Sequence, residues 1–273
     1  MCEPLILNGK EVAEELYSKL PDMNGKELSI ITIGDDDASK VYVKNKIKDA
    51  EKVGLKAVNY TFDVDVPYDV VAEKIIDLNN DNNVVGIMVQ QPYPMRFKGI
   101  EKHISPKKDV DGLCPTNMYK TMMCQTPYQY PATPQGILFM LGYYGIGLSG
   151  KNVCIIGRSD IVGKPLAAIM TARNATVTLC HSKTKDLKEH TKRADIIVSA
   201  VGKPKFINSS YFSLFNRPVI IDVGMNRDEN GKLCGDVDFN DVLHYVSAIT
   251  PVPGGVGPMT RYALIKNCTD NYM

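Results

Sequence analysis

Apolar runs of strand length alternate with helical patterns along most of this chain, and that alternation restricts the fold more than any other feature. In the first half, "LSIITIG" (28–34) is followed by a helical pattern over 39–52, "KAVNYTF" (56–62), a second helical pattern over 68–79 and "VVGIMVQ" (84–90). Gly54 suits the stop of the first helix and Pro67 the start of the second, because glycine tolerates the backbone past a helix end and proline is pre-set for a first turn. Strands separated by helices do not pair as hairpins; each helix carries the chain back across the sheet, so the strands run parallel. Residues 91–134 break the rhythm with Pro92, Pro94, Pro106, Pro115, Pro127, Pro131 and Pro134. This zone reads as loops that edge a site or join domains.

From about 134 the rhythm resumes with the helix "PQGILFMLGYYG", the strand "KNVCIIG", a helix over 163–172, "ATVTLC", a helix near 185–193, "DIIVSAV" and "PVIIDVG". The string "PVPGGVGP" (251–258) reads as a break in regular structure before one closing helix. The expectation is an α/β protein of two α/β domains. Residues 1–133 form the first, with the helix at 258–273 packing back onto it; residues 134–257 form the second, a Rossmann-like doubly wound parallel sheet.

Bulk properties narrow the partners. The chain of 273 residues carries a formal net charge of +1, no basic stripe and no Trp, which leaves out the electrostatic footprint of a nucleic-acid or membrane-surface binder. Small molecules are the expected ligands. Seven cysteines (Cys2, Cys114, Cys124, Cys154, Cys180, Cys234, Cys268) include no CxxC pair, and their odd number argues against a complete disulfide framework. They read as thiols in a reducing compartment. No secretory signal, Arg-rich transit peptide or membrane-length apolar run is legible, so the expected location is the cytoplasm.

The stretch "GRSDIVGKP" (157–165) follows an apolar strand and opens a helix, the position of a dinucleotide-binding turn. Of the three glycines in the usual G-x-G-x-x-G pattern, Gly157 and Gly163 remain, which fits either a cofactor turn or an ordinary connection. The next strand favours a cofactor. About 20 residues past such a turn an NAD site places Asp or Glu on the ribose 2′-hydroxyl, whereas this strand ends Cys180-His181-Ser182-Lys183. Arg158, Ser182 and Lys183 instead offer donors for a dianionic 2′-phosphate, so NADP is preferred, with NAD possible but less favoured. Cys180 and His181 have no third ligand at a suitable spacing, and no metal site is expected.

Tyr42 and Lys46 lie four apart on a predicted helix and so share a face beside the apolar stripe Val43, Ile47, Ala50 and Val53. Taken alone, such a pair is more often the solvated edge of an amphipathic helix. Its spacing also resembles the catalytic pair of short-chain dehydrogenases, but there the glycine turn comes first, and here the pair precedes the turn by more than 100 residues. Gln90 in "VQQPYP" sits at the carboxyl end of a strand, where α/β sheets meet their ligands, or serves as a polar cap. "KDVDG" (108–112) reads as an Asp-Gly turn, and the three glycines of "PVPGGVGP" permit close backbone approach to a planar ligand or form a plain connector.

Taken together and in order, "YVKNKIKDAEKVGL", "VQQPYP", "KDVDGLCPTN", "PATPQG", "GRSDIVGKP", "ATVTLCHSKT", "ADIIVSAVG", "VIIDVGMN", "GDVDF" and "ITPVPGGVGPMT" resemble the bifunctional methylenetetrahydrofolate dehydrogenase/cyclohydrolase family over about residues 7–270. The resemblance implies two domains flanking a cleft, homodimers formed through the nucleotide domain, and a role in one-carbon metabolism and purine biosynthesis. It implies NADP-linked oxidation of 5,10-methylenetetrahydrofolate, then hydrolysis of the methenyl product to 10-formyltetrahydrofolate. A monofunctional dehydrogenase and a non-catalytic nucleotide sensor are the alternatives. Carried over by motif, the substrate positions are Tyr42, Val43, Lys44, Asn45, Lys46, Val89, Gln90, Gln91, Asp111, Pro253, Gly254, Gly255, Val256 and Gly257. Of these, Tyr42, Lys46, Gln90 and Asp111 are the expected catalytic set. The cofactor positions are Gly157, Arg158, Ser159, Ser182 and Met225. On this resemblance Asp111 accepts from the pterin amino group and ring N–H, Lys46 shuttles protons, Gln90 orients the Lys46 nitrogen and Tyr42 stacks on or hydrogen-bonds the folate. The chain departs from the family pattern at Gln91 and Tyr93, usually leucine, at Ala132, usually cysteine, at Tyr119, usually glycine, and in a shorter helix near 16–24; these departures fall on the folate side.

Overall fold

Strands rich in Val and Ile with no polar alternation belong between covered faces, and "ELSIITI" and "VVGIMV" are both buried at every residue. The computed structural model describes residues 3–213 and 215–271; Cys2 and the last two residues of the expected closing helix lie outside them. In chain order the elements are β1 (Leu5–Ile6), α1 (Gly9–Tyr17), β2 (Glu27–Ile33), α2 (Asp37–Glu51), β3 (Lys56–Phe62), α3 (Tyr68–Asn80), β4 (Val84–Val89), α4 (Pro115–Met122) and α5 (Ala132–Tyr143). Then follow β5 (Asn152–Ile156), α6 (Gly163–Ala172), β6 (Thr176–Cys180), α7 (Leu187–Lys192), β7 (Ile196–Ser199), β8 (Val219–Asp222), β9 (Asn226–Arg227), β10 (Leu233–Cys234), α8 (Phe239–Val242), β11 (Ala248–Ile249) and α9 (Val256–Asp270).

The chain divides into two compact units. One comprises Glu15–Lys120, Thr126–Ala132 and the chain from Arg261. Its sheet has the order β3-β2-β4, every pair parallel, as the alternation requires. The α3 helix buries Val71, Ala72, Ile75 and Leu78 in a core shared with Phe97 and Ile100. Gly54, at φ +70°, ends the turn after α2, and Pro67 caps α3. From α9, the Asn267 amide nitrogen donates to the carbonyls of Val110 (2.9 Å) and Tyr130 (3.2 Å), tying two loops to one helix.

The other unit comprises the chain up to Glu14, Thr121–Gln125 and Thr133–Thr260. Its six strands run β1-β11-β8-β7-β5-β6, with parallel neighbours. The chain leaves β5 for β6 on one side and returns to β7 on the other. That reversal opens a crevice at the carboxyl end of β5, where doubly wound sheets take their ligands.

Three features differ from the sequence expectation. The first residues join the second unit because β1 adds to its sheet, Leu5 and Leu7 donating to the carbonyls of Ser247 (2.9 Å) and Ile249 (2.8 Å). The proline-rich zone contains α4, begun by Pro115 at its first position, where a missing N–H leaves nothing unpaired. The string 251–258 does not break regular structure throughout, since α9 begins at Val256.

Gly86 has no room for a side chain: a Cβ there would stand 2.7 Å from Val110 Cγ1 and 2.8 Å from Cys268 Sγ. Gly86→Ala is therefore expected to lower stability by about 1–3 kcal/mol through overpacking, read as a lower midpoint in thermal denaturation.

Candidate active site

The α2 helix starts at a firm cap: the Asp36 carboxylate accepts from the Ser39 backbone N–H (2.7 Å) and hydroxyl (2.8 Å). Val43, Ala50 and Val53 are buried and Ile47 is half-buried, so the apolar stripe turns inward. Tyr42, Lys46 and Asp49, at i, i+4 and i+7, share another face. Lys46 Nζ donates to Gln90 Oε1 at 2.9 Å and lies 3.4 Å from Met88 Sδ. Gln90 directly follows β4, is 7% exposed, and spends its amide NH2 on the Gln91 carbonyl at 2.5 Å. With the NH2 engaged there, the Gln90 amide oxygen faces the lysine.

Asp111 enters from the turn after Asp109. Gly112 there has φ +70°, and a Cβ on it would stand 2.5 Å from the backbone of Tyr130 and Pro131. The Asp111 carbonyl accepts from Ala132 N–H at 3.1 Å. The two aspartates of "KDVDG" divide the work: Asp109 is fully buried and accepts from Cys114 N–H (2.8 Å) and the Asn117 amide (3.0 Å), shaping the turn that presents Asp111.

Burial of its ammonium end pushes the Lys46 pKa down, the Asp111 charge opposes this, and the Arg261 guanidinium adds to it. Burial pushes the Asp111 carboxyl up against the pull of Lys46. Tyr42, 38% exposed, is pushed up by partial burial. Arg261 is placed by Asp49, whose carboxylate takes the Arg261 Nε at 2.5 Å and Lys52 Nζ at 3.0 Å. Asp49 and Arg261 are 212 positions apart, and neither belongs to a pattern legible in the sequence. Val43 and Lys44 face elsewhere. They line a groove of about 440 Å³ along α2 and β3 with Thr32, Asn59 and Thr61, and Tyr42, Lys46 and Gln90 do not line it. Asn45 is half-buried, Val89 is buried and Gln91 is exposed.

In the second unit Gly157 follows β5 with φ +120°, and a Cβ on it would stand 2.2 Å from the Ala200 carbonyl oxygen. A Cβ on Gly163, the first residue of α6, would stand 2.0 Å from the Gly157 carbonyl oxygen. Neither position has room for a side chain, and Gly157 also holds a φ that glycine alone adopts freely. Ser159 Oγ accepts from the N–H groups of Val162 (3.2 Å) and Gly163 (3.4 Å), which ties the turn that enters α6. Arg158 and Ser182 are exposed. His181 Nδ1 accepts from Lys183 N–H at 3.1 Å, which occupies one ring nitrogen in the local turn. Met225 is 43% exposed, and its Cε would lie 3.3 Å from a Cβ on Gly257, joining the "DVGM" loop to the 251–258 string. Pro253, Gly254, Gly255 and Val256 belong to the same unit. There the Gly254 carbonyl accepts from Lys10 N–H at 2.9 Å, and a Cβ on Gly255 would stand 2.6 Å from the Pro251 carbonyl oxygen.

Removing the Arg261 charge while Asp49 stays beside the helix favours a protonated neighbour. Arg261→Leu is therefore expected to move the Lys46 pKa upward in an NMR titration of its ε-carbon, and a downward move would contradict this electrostatic account.

The family model for the tetrahydrofolate dehydrogenase/cyclohydrolase catalytic domain matches residues 7–111, and that for the family's NAD(P)-binding domain matches residues 131–273. A "Bifunctional protein FolD" of Lachnoclostridium phytofermentans is 46% identical, with 97% of this chain and 96% of that protein covered. The solved bifunctional FolD methylenetetrahydrofolate dehydrogenase/cyclohydrolase of Campylobacter jejuni is 38% identical with a TM-score of 0.93, covering 97% of each chain. That of Trypanosoma brucei, solved with NADP cofactor and inhibitor, is 30% identical with a TM-score of 0.91, covering 100% of this chain and 98% of its own. With both family domains matched and relatives this similar along nearly the full length, the chain belongs to the tetrahydrofolate dehydrogenase/cyclohydrolase family and is a bifunctional enzyme of that kind.

Proposed function

We propose that this enzyme uses NADP to oxidise 5,10-methylenetetrahydrofolate and then hydrolyses the methenyl product to 10-formyltetrahydrofolate, with Lys46 as the proton carrier of the second step. The observation that carries the reading is the 2.9 Å contact from Lys46 Nζ to Gln90 Oε1 on a lysine whose burial favours its neutral form. A neutral amine has a lone pair for a proton; an ammonium has none.

The residues present fit the nucleotide. Gly157 and Gly163 leave the turn before α6 open to close backbone approach, and Arg158, Ser182 and Lys183 supply donors for a 2′-phosphate. When bound, NADP supplies the acceptor for the hydride that leaves the methylene carbon. Both nitrogens flanking that carbon push electrons toward it, so this step asks the protein for position rather than for an acid or base. In this reading Met225 and Pro253–Gly257 present backbone and thioether to the cofactor and folate rings.

Hydrolysis makes heavier demands. Water adds to the methenyl carbon and its proton passes to Lys46 Nζ while Gln90 Oε1 holds that nitrogen in line. The bond from carbon to ring N5 then breaks as Lys46 returns a proton to N5 and the hydroxyl of the adduct gives up its own proton to water, so that a C=O forms and the formyl group stays on N10. Asp111 accepts from the pterin amino group and adjacent N–H, a paired contact that suits a carboxylate, and Tyr42 lies against the ring. The folate positions include Val89, Gln91, Asn45 and the neighbours Val43 and Lys44, although the last two also line the groove along α2. We also infer a cytoplasmic homodimer, on the thiol pattern and the motif resemblance; among the described residues no helix is long and apolar enough to cross a membrane. Light scattering on the eluting peak tests the dimer.

Lys46→Ala is expected to lower cyclohydrolase turnover by about 10²-fold or more, the usual range for a lost proton-transfer group, with a measurable dehydrogenase rate retained. Absorbance of methenyltetrahydrofolate and of reduced nicotinamide separates the two; equal loss of both contradicts the division of labour. Because the lysine acts as base only when neutral, cyclohydrolase activity should rise with pH through its depressed pKa and then level. Arg158→Ala should reduce the preference for NADP over NAD by about tenfold, the order of one charge-assisted hydrogen bond, in kcat/KM for each nucleotide.

A further inference from the structure

Two buried aspartates at the carboxyl ends of the nucleotide sheet have no part in the chemistry above. Asp222 ends β8 and is 3% exposed; Asp236 follows β10 and is fully buried. A lone buried carboxylate is costly, and one surrounded by N–H donors becomes a fixed point that orders whatever carries those donors.

The donors come from the loops that border the crevice. Asp236 Oδ2 accepts from Val201 N–H at 2.7 Å and Ser199 Oγ at 3.2 Å, both at the end of β7. Its Oδ1 accepts from Lys203 N–H and from the Asn226 amide, each at 2.9 Å. One side chain thus binds the loop after β7 and the loop after β8. Asp222 Oδ1 accepts from Gly224 N–H and Asp236 N–H, each at 3.0 Å, and Oδ2 from Val237 N–H at 2.9 Å. Burial, with Asp236 nearby, pushes its carboxyl up to about 7.

The two Asp and two Gly residues interlock. A Cβ on Gly224 would stand 2.2 Å from Asp236 Oδ1, and a Cβ on Gly235 would stand 1.8 Å from Asp222 Oδ2. Each glycine vacates the space that the other segment's carboxylate fills. Met225 follows Gly224 directly, and the Ala200 carbonyl that abuts Gly157 precedes Val201. The loops fixed by the two aspartates therefore carry the wall of the cofactor turn.

Which half of the nucleotide they face follows from strand order. With the pyrophosphate at Gly157 after β5 and the 2′-phosphate donors on the β5–β6 side, the remaining half of the dinucleotide runs over β7 and β8. We propose that Asp222 and Asp236 are positioning residues, an interlocked carboxylate clip that holds the loops after β7 and β8, and with them Met225, in the form the nicotinamide half of the cofactor needs. This rests on the NADP site proposed above.

The test uses calorimetric titration of the full-length enzyme with NADP and with adenosine 2′,5′-bisphosphate, which has the adenosine and 2′-phosphate but no nicotinamide. Asp236→Asn turns an NH2 toward N–H donors; Asn226→Ala removes one donor and leaves the other three on Asp236. The expected result is NADP affinity lowered about tenfold in the first and about threefold in the second, the scale of one or part of one buried hydrogen bond, with bisphosphate affinity kept within about twofold. Unchanged NADP binding in the variants, or equal weakening of both ligands, overturns the clip. If Asp236→Asn does not fold, Asn226→Ala decides by the same criterion. Failure of the unaltered enzyme to bind the bisphosphate would instead overturn the cofactor assignment, and this inference with it.

Discussion

The hydrogen bond from Lys46 to Gln90 joins a helix to the end of a strand, and both ends of it are held by the packing of α2 and β4 in one unit. An amine taken out of water loses solvation that a charged form needs far more than a neutral one. The fold places the nitrogen beside an amide oxygen and a thioether rather than in a tight ion pair, so the lysine is held without being locked in its protonated state. Asp111 pulls the other way and Arg261 opposes it. Burial is the largest influence on this amine, with one carboxylate and one guanidinium acting on it in opposite directions.

That balance depends on residues far from the reacting atoms. Asp49 sits one turn beyond Lys46 and takes both Arg261 and Lys52, which docks the end of α2 against α9. Asp109, two residues before Asp111, is a buried anchor rather than a reactant. In each case a buried carboxylate ties together the backbone or side chains around a candidate residue, the kind of support that preorganised sites use.

The nucleotide unit reaches order by a different means, through absent side chains. Gly157, Gly163, Gly224 and Gly235 each stand where a Cβ would strike a carbonyl or carboxylate oxygen within 2.2 Å. Two of them form the turn between β5 and α6 and two make room for buried aspartates. The degraded look of "GRSDIVGKP" is resolved in the same terms: where the middle glycine is missing, a serine hydroxyl ties the turn, while the two glycines packed against backbone remain.

By itself the amino-acid sequence determined the parallel α/β class, the cores of the main strands and helices to within a few residues and the place of the glycine turn, and it marked out Tyr42, Lys46, Gln90 and Asp111 as candidates. These follow from periodicity and from motifs confined to a few neighbouring positions, where spacing translates directly into geometry. The attachment of β1 to β11, the helix hidden in the proline-rich stretch, the Arg261–Asp49 pair and the carboxylate clip were decided only in three dimensions. Each joins segments whose separation along the chain carries no local signal, or is too short to show a period. Burial then supplied what no spacing encodes: that Asp109 is an anchor within its turn, and in which direction the Lys46 and Asp111 pKa values move.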